Sequence, residues 1–417
     1  MSLWRTWFAI PLWQRVLAGL ALGVLLGLAW PAAAPSVGVV GDVFVRLIRM
    51  LVVPIVFVTI ASGVTALGDP QRLGSVGART VGLFAATTFI AVSLGIGIAL
   101  LLQPGIGANL GAVVPRPLGD VKSTYDQLVG IVPLNIVQSL AEGDMLAIIF
   151  FSLLIGIGTI LAGETGRPMA RLLDSASGVL FQIIRLVMEL TPFGVFALIA
   201  GAVAVNGVAV FANIGWLALC VLLGSIAQMA IVHSLILAFV ARVSVPRFFR
   251  SIVDALVVAF STASSSATLP VALRVATDRL GIARPIASTV LPVGASIGKD
   301  GTALYVGLLS VFSLQALGIT PTPEMLLLML LTGALAAFGT APIPSASLFM
   351  LAAVLAAVGV GPEQTALIVG FILPFDRLLD MTRTVPSASA NLTVATTVAR
   401  WEGELHPPTE IGEAEAA

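Results

Sequence analysis

Charge is scarce in this 417-residue chain: Asp, Glu, Lys and Arg make up 10% of it, against about a quarter in soluble domains. With 58% hydrophobic residues and a mean hydropathy of +1.07, it lacks the polar surface to cover itself in water. Cysteine is nearly absent, Cys220 being the single one, which excludes a disulfide scaffold. There is no net charge, which excludes a nucleic-acid binder. The only histidines are His233, alone in an apolar run, and His406 near the end. No Ser–His pairing or metal-ligand spacing is visible, so no enzyme and no cofactor is expected, and a lone His233 reads as a packed or hydrogen-bonded residue. Alternation is missing too: the apolar runs are continuous, which excludes an outer-membrane barrel. Several runs exceed the roughly 20 residues that cross a bilayer, so the chain reads as an all-α polytopic membrane protein.

Apolar runs between charges give spans near 16–31, 44–67, 81–103, 127–162 (long and broken), 177–204, 212–240, 285–315 and 362–399, with loops at 32–42 and 205–211. Arg5 and Arg15 flank a short apolar patch followed directly by a full span, so no cleaved signal peptide is expected. Basic clusters at Arg5 and Arg15, Arg72 and Arg79, Arg167 and Arg171, and Arg242 to Arg250 place those loops and both termini on the cytoplasmic side of the cell membrane. Arg46 and Arg49, and Arg116 with Lys122, run against that pattern.

Two segments do not fit simple spans. Residues 251–273 are bracketed by arginine on both sides, and a re-entrant hairpin keeps both clusters inside. Its tip is the hydroxyl run Ser261 to Thr268, ending in Leu269-Pro270. Non-helical backbone at membrane depth survives only where it is buried or lines a wet cavity, so the tip is expected in a site. Residues 325–361 are too many for one span and few for two, and they break at Gly339-Thr340-Ala341-Pro342-Ile343-Pro344-Ser345-Ala346-Ser347. This predicts a second hairpin entering from the outer face. The fold expected is eight transmembrane helices plus two re-entrant helical hairpins, arranged as inverted repeats whose broken helices meet at a substrate site.

Lys299, Asp300, Asp376, Asp380 and Arg383 lie inside the last two spans, where each charge carries an insertion penalty of about 2.5–3.5 kcal/mol. Lysines are rare, only Lys122 and Lys299 among 21 basic residues. Lys299 sits in the glycine-rich stretch Gly294 to Thr302, which predicts an unwound segment whose carbonyls bind a cation; Lys299 beside Asp300 reads as a tethered one. Asp380, Arg383, Thr384 and Ser387 share one helical face. Arg383 can take a carboxylate and Asp380 an ammonium, as a zwitterion with a second acid group requires; equally, the two can neutralise each other. Pro386 frees the carbonyl of Thr382.

The tip Ser264-Ser265-Ser266-Ala267-Thr268-Leu269-Pro270, the break Asp300-Gly301-Thr302, the tip Gly339-Thr340-Ala341, Asp380-x-x-Arg383-Thr384 and Arg49-Met50-Leu51-Val52-Val53-Pro54 resemble, in order, the dicarboxylate/amino acid:cation symporter family. This is the glutamate transporter family, whose archaeal members carry aspartate with sodium. The resemblance covers about residues 10 to 400. It implies a homotrimer in the bilayer and an elevator mechanism. A scaffold (10–67 and 127–204) would hold still while a transport domain (76–103 and 212–400) slides. That domain comprises hairpin one at 250–277, span seven at 284–315, hairpin two at 325–361 and span eight at 362–400, with an acidic disordered tail at 401–417. Substrate contacts carried over by position are Ser264, Ser265, Ser266, Thr302, Ile343, Ala346, Ser347, Asp380, Arg383, Thr384 and Ser387. Members carrying C4-dicarboxylates generally lack the aspartate at the Asp380 position, so the resemblance implies aspartate or glutamate as substrate.

The departures concern cations. Members typically read Asn-Met-Asp-Gly-Thr where this chain has Gly298-Lys299-Asp300-Gly301-Thr302, and have Asn and Asp at the Ser387 and Asn391 positions. Tyr is typical at Phe84, before Thr87 and Thr88, and Ala263 and Met381 hold places where many members carry an arginine. The cation-site or coupling residues implied are therefore Thr87, Thr88, Ser296, Gly298, Lys299, Asp300 and Asn391. An ammonium about 4 Å from a sodium ion weakens its binding by about 4 kcal/mol at an effective dielectric of 20, roughly a thousandfold. The expectation is a carrier that is not sodium-coupled, with Lys299 replacing the cation, and either cation-independent or proton-coupled. Glu189 is a second proton site or an interface residue. The competing readings are a C4-dicarboxylate or neutral amino acid carrier, a conventional sodium symporter, and an anion channel using Arg46 and Arg49.

Overall fold

The computed structural model describes residue 10 and residues 12–65, 70–108, 132–207, 210–340 and 346–406. Within them the chain is helical except for turns and one isolated antiparallel bridge. Val76–Leu102 and Ile214–Ala241 are each long and apolar enough to cross a membrane unaided, and two bent helix pairs meet the same test jointly.

Helices α1 (Leu12–Ala29) and α2 (Ala34–Thr65) are joined by a 3-10 turn at Pro31–Ala33, and the chain bends by 115° there. Pro31 cannot continue a helix but suits the first position of the next one. The loop expected over 32–42 is therefore helix. Helix α3 (Pro70–Leu102) follows, and then α4 (Ile136–Glu142) and α5 (Met145–Leu161), so the long segment is broken as expected. Arg116 and Lys122 lie outside the described residues. The single span expected over 177–204 is instead two helices, α6 (Arg167–Met188) and α7 (Thr191–Asn206), parted at Glu189-Leu190. Pro192 starts α7 at a position where its missing N–H is harmless. Glu189 at this break accepts from Arg15 at 2.6 Å, which ties α1 to the junction of α6 and α7.

Helix α1 packs along α7 through Gly19, Gly23 and Gly27, one per turn. A Cβ on Gly23 would stand 2.6 Å from the Phe196 carbonyl oxygen, so only glycine lets the two backbones approach. Helix α8 (Val210–Ala227) runs on through two π-helical turns, Gln228–His233 and Ile236–Ala241.

Helices α9 (Val245–Thr262) and α10 (Ser265–Asp278) pack on each other across a two-residue tip. Ala263 there is left-handed (φ 51°), and Ser264 caps α10 by accepting from Ala267 N. Helices α11 (Arg284–Ile297) and α12 (Asp300–Ala316) are parted at Gly298-Lys299, where the unwound stretch was expected. Helices α13 (Pro323–Phe338) and α14 (Ala346–Ala357) form the second packed pair; its tip, 341–345, lies outside the described residues. Helix α15 (Pro362–Glu402) is continuous through Asp380 to Ser387. It packs against α8 to α12 and α14 and so forms the axis of this half.

The tail was expected to be disordered from 401. Its first residues are instead ordered: Leu405 bridges Ile282, and Ala283 N donates to Glu404 O. Backbone pairing in the turn between α10 and α11 holds it despite its acidic composition. Residues 407–417 lie outside the described residues.

Candidate functional site

The break between α11 and α12 exposes the last carbonyls of α11, which have no partner within the helix. Lys299, 3% exposed, folds back so that Nζ donates to Ala295 O at 2.6 Å. Its charge sits at the negative end of the α11 dipole. Lys299 thus meets a carbonyl of the unwound stretch, while the Asp300 side chain turns to Thr87, Gln228 and His233.

Arg383 and Asp380 meet one turn apart on α15, with Nη2 2.5 Å from Asp380 Oδ1. Nη1 of Arg383 donates to Thr302 Oγ1 on α12, and the guanidinium lies 5.3 Å from the centroid of the Tyr305 ring. Nε of Arg383 is buried and has no acceptor among the described residues. Asp376, fully buried, accepts from Tyr305 at 2.8 Å. Tyr305 thus ties the two charges of α15 to α12, a role invisible in its surrounding apolar run. Thr384 hydrogen-bonds within its own helix, donating to Asp380 O at 2.7 Å. Ser387 accepts from Gly301 N at 3.1 Å. Gly301 lies so close to Arg383 O that a Cβ would overlap it, and this approach seats the break on α15.

Asp300, the first residue of α12, is fully buried among donors. Thr87 Oγ1 reaches its Oδ1 at 3.0 Å and Thr88 Oγ1 at 3.5 Å. Gln228 Nε2 donates to Oδ2 at 3.1 Å, and His233 Nε2 stands 3.2 Å from the same oxygen. His233 Nδ1 is 3.0 Å from Ser389 Oγ. Neither residue was expected beside Asp300, but His233, read as packed or hydrogen-bonded, is both. The two are five apart, about 140° apart around an ordinary helix at 3.6 residues per turn. The π turn stacks them on one face instead.

Asn391 lies beside the same break. With its amide nitrogen toward α11 it donates to Gly294 O at 3.1 Å and Gly298 O at 3.2 Å. A Cβ at residue 298 would overlap the Asn391 side-chain amide and sit 2.5 Å from the Phe84 ring, so no asparagine fits there as the structure stands.

The hairpin residues are less converged. Ser264 serves its own helix, Ser265 is buried and Ser266 exposed. Ser296 donates to Pro292 O at 3.2 Å. Ala346 and Ser347 are buried, and Ser347 Oγ has no partner among the described residues. Ile343 lies outside the described residues. Arg46 is exposed on α2, and the side chain of Arg49 is not among those described.

Residues 12–401 match the model of the sodium:dicarboxylate symporter family. Among similar proteins is the proton/sodium-glutamate symport protein of Bacillus subtilis, 34% identical over 94% of this chain and 93% of its own. The proton/glutamate-aspartate symporter of Escherichia coli is 35% identical over 94% and 92%. The C4-dicarboxylate transport protein of Anaeromyxobacter sp. is 32% identical over 94% and 90%. A family match over nearly the whole chain, on a helical framework with apolar spans, makes this a membrane transporter and not an enzyme. The chain belongs to the sodium:dicarboxylate symporter family.

Proposed function

We propose that the protein carries an acidic amino acid, aspartate or glutamate, across the cytoplasmic membrane without coupling to sodium. One observation carries the substrate reading: Arg383 keeps a buried Nε–H with no acceptor among the described residues, beside Asp380. Buried donors are normally satisfied, and a substrate carboxylate is the acceptor that fits. The internal Asp380–Arg383 contact is then a placeholder. An incoming amino acid exchanges it for two contacts, ammonium on Asp380 and side-chain carboxylate on Arg383, so that neither protein charge is left unpaired. Thr302, Thr384 and Ser387 flank the pair, and Ser264, Ser265, Ser266, Ala346 and Ser347 complete the pocket from the hairpins; Ile343, outside the described residues, is assigned to the substrate by the resemblance alone. The names of the Bacillus and Escherichia relatives, which speak of glutamate and aspartate, support this reading.

Lys299 provides the reason for sodium independence: an ammonium already occupies a carbonyl at the end of α11. Permanently charged, it makes the carrier cation-independent; titrating, it makes the carrier proton-coupled, and the word "proton" in the relatives' names favours the second. The protein works as a homotrimer with both termini in the cytoplasm. The hairpins and helices of 76–103 and 212–400 move as an elevator against a scaffold of 10–67 and 127–204.

The C4-dicarboxylate relatives give a second reading, against which Asp380 stands as an unneeded negative charge. A thermal-shift panel of aspartate, glutamate, succinate, serine and alanine separates them, because a bound ligand raises stability by mass action. Stabilisation by aspartate or glutamate and not succinate is expected; the reverse order refutes the amino acid assignment.

A further inference from the structure

The Asp300 carboxylate is fully buried in a chain whose relatives include symporters named for sodium, and its surroundings are the place to ask whether a cation fits. A carboxylate only accepts, so of the atoms around it every one within hydrogen-bonding reach must donate. Oδ1 receives the Thr87 and Thr88 hydroxyls, and Oδ2 receives nitrogen from both Gln228 and His233. Nε2 of His233 therefore carries hydrogen. Nδ1 stands 3.0 Å from the Ser389 hydroxyl, which can accept from it or donate to it. A hard cation needs converging oxygens. Here two N–H groups point at the oxygen such an ion would share, and their positive ends repel it.

We infer that Gln228 and His233, stacked by the π turn of α8, fill with protein N–H groups the cation's place beside Asp300 and so close that carboxylate to sodium. The inference rests on the sodium-free reading of the function and deepens it by assigning the cause at Asp300 to His233, since Lys299 is occupied with Ala295 O. Asn391 repeats the device on the other side of the break, with amide hydrogens on the Gly294 and Gly298 carbonyls. Two features say what happens when the imidazole is removed. The lining left behind consists of the Asp300 carboxylate and the hydroxyls of Thr87, Thr88 and Ser389. Gln228 Oε1, now buried without a partner, can turn inward as a further oxygen. Removing one side chain converts a closed set of donors into an oxygen cage.

The test uses the purified full-length protein without substrate, unfolded thermally in equimolar sodium chloride or choline chloride. The wild type is expected to melt alike in both salts. His233→Ser is expected to melt lower in choline and to recover by several degrees in sodium. His233→Gln, whose amide still donates to Asp300, is expected to be indifferent to the salt. A folded His233→Ser protein indifferent to sodium overturns the inference. So does a sodium-induced rise in the wild type that Asp300→Asn removes, and this pair decides the matter even if His233→Ser does not fold. A wild-type sodium rise that survives Asp300→Asn refutes the sodium-free reading of the function but leaves Asp300 closed, in support of the present assignment.

Discussion

Arg383 spends one nitrogen on Asp380, one on Thr302 and leaves the third without an acceptor among the described residues, so the energetics of the site turn on what happens when either charge loses its partner. Breaking a buried pair from one side typically costs about 3–5 kcal/mol, because the surviving charge stays buried and alone. Asp380→Asn is therefore expected to lower the melting temperature in the absence of ligand and to weaken aspartate binding by two or more powers of ten, read by titration calorimetry. Succinate, which brings no ammonium, should bind the variant no worse than the wild type; equal losses for both ligands would contradict the assigned role. Lys299→Met should leave uptake sodium-independent, since His233 and Asn391 still hold N–H groups where cations would sit. Sodium-dependent uptake by that single variant would show that Lys299 alone carried the effect. At position 298 the family's asparagine cannot be restored simply: its Cβ would run into Asn391 and Phe84. Gly298→Asn is expected to destabilise by about 1–3 kcal/mol, the usual range for overpacking, measured as a lowered melting temperature.

At the scale of elements, what was legible depended on whether a contact lies within one periodic helix. Asp380, Arg383, Thr384 and Ser387 could be placed on a common face because α15 is one continuous helix whose period fixes their directions. The break at Gly298-Lys299 was legible from its glycines. His233 was not: its neighbour Gln228 is five residues away and its partner Asp300 is 67 residues away. Only a π turn, which no 3.6-residue pattern reveals, sets the two on one side. Which carbonyl Lys299 meets was not legible either, since a glycine-rich stretch does not fix direction once the helix unwinds. The ordered start of the tail escaped because pairing with Ile282 is a backbone matter. Helix packing yields its own test. Gly23 lies 2.6 Å, measured from its missing Cβ, from the Phe196 carbonyl, so Gly23→Leu should force α1 and α7 apart and lower the melting temperature sharply. A melting temperature equal to the wild type would show that the two helices do not approach as described.

For the whole molecule, the polar groups that a bilayer would exclude are gathered where α3, α8, α11, α12 and α15 meet. Intramembrane charges of this kind mark transport pathways. The Arg15–Glu189 pair stands apart from them, joining α1 to the break between α6 and α7. Glu189→Gln should accordingly reduce stability, by roughly 1–3 kcal/mol for a charged hydrogen bond, and leave the pH profile of uptake unchanged. A shifted profile would return Glu189 to the list of proton carriers. The central claim is that groups built into the protein do here what dissolved cations do in sodium symporters, and uptake of labelled L-aspartate into proteoliposomes tests it most directly. With choline replacing sodium on both sides, the account predicts undiminished uptake, and acceleration by an inward proton gradient if Lys299 titrates. Uptake that falls to background without sodium and returns with it would contradict the account.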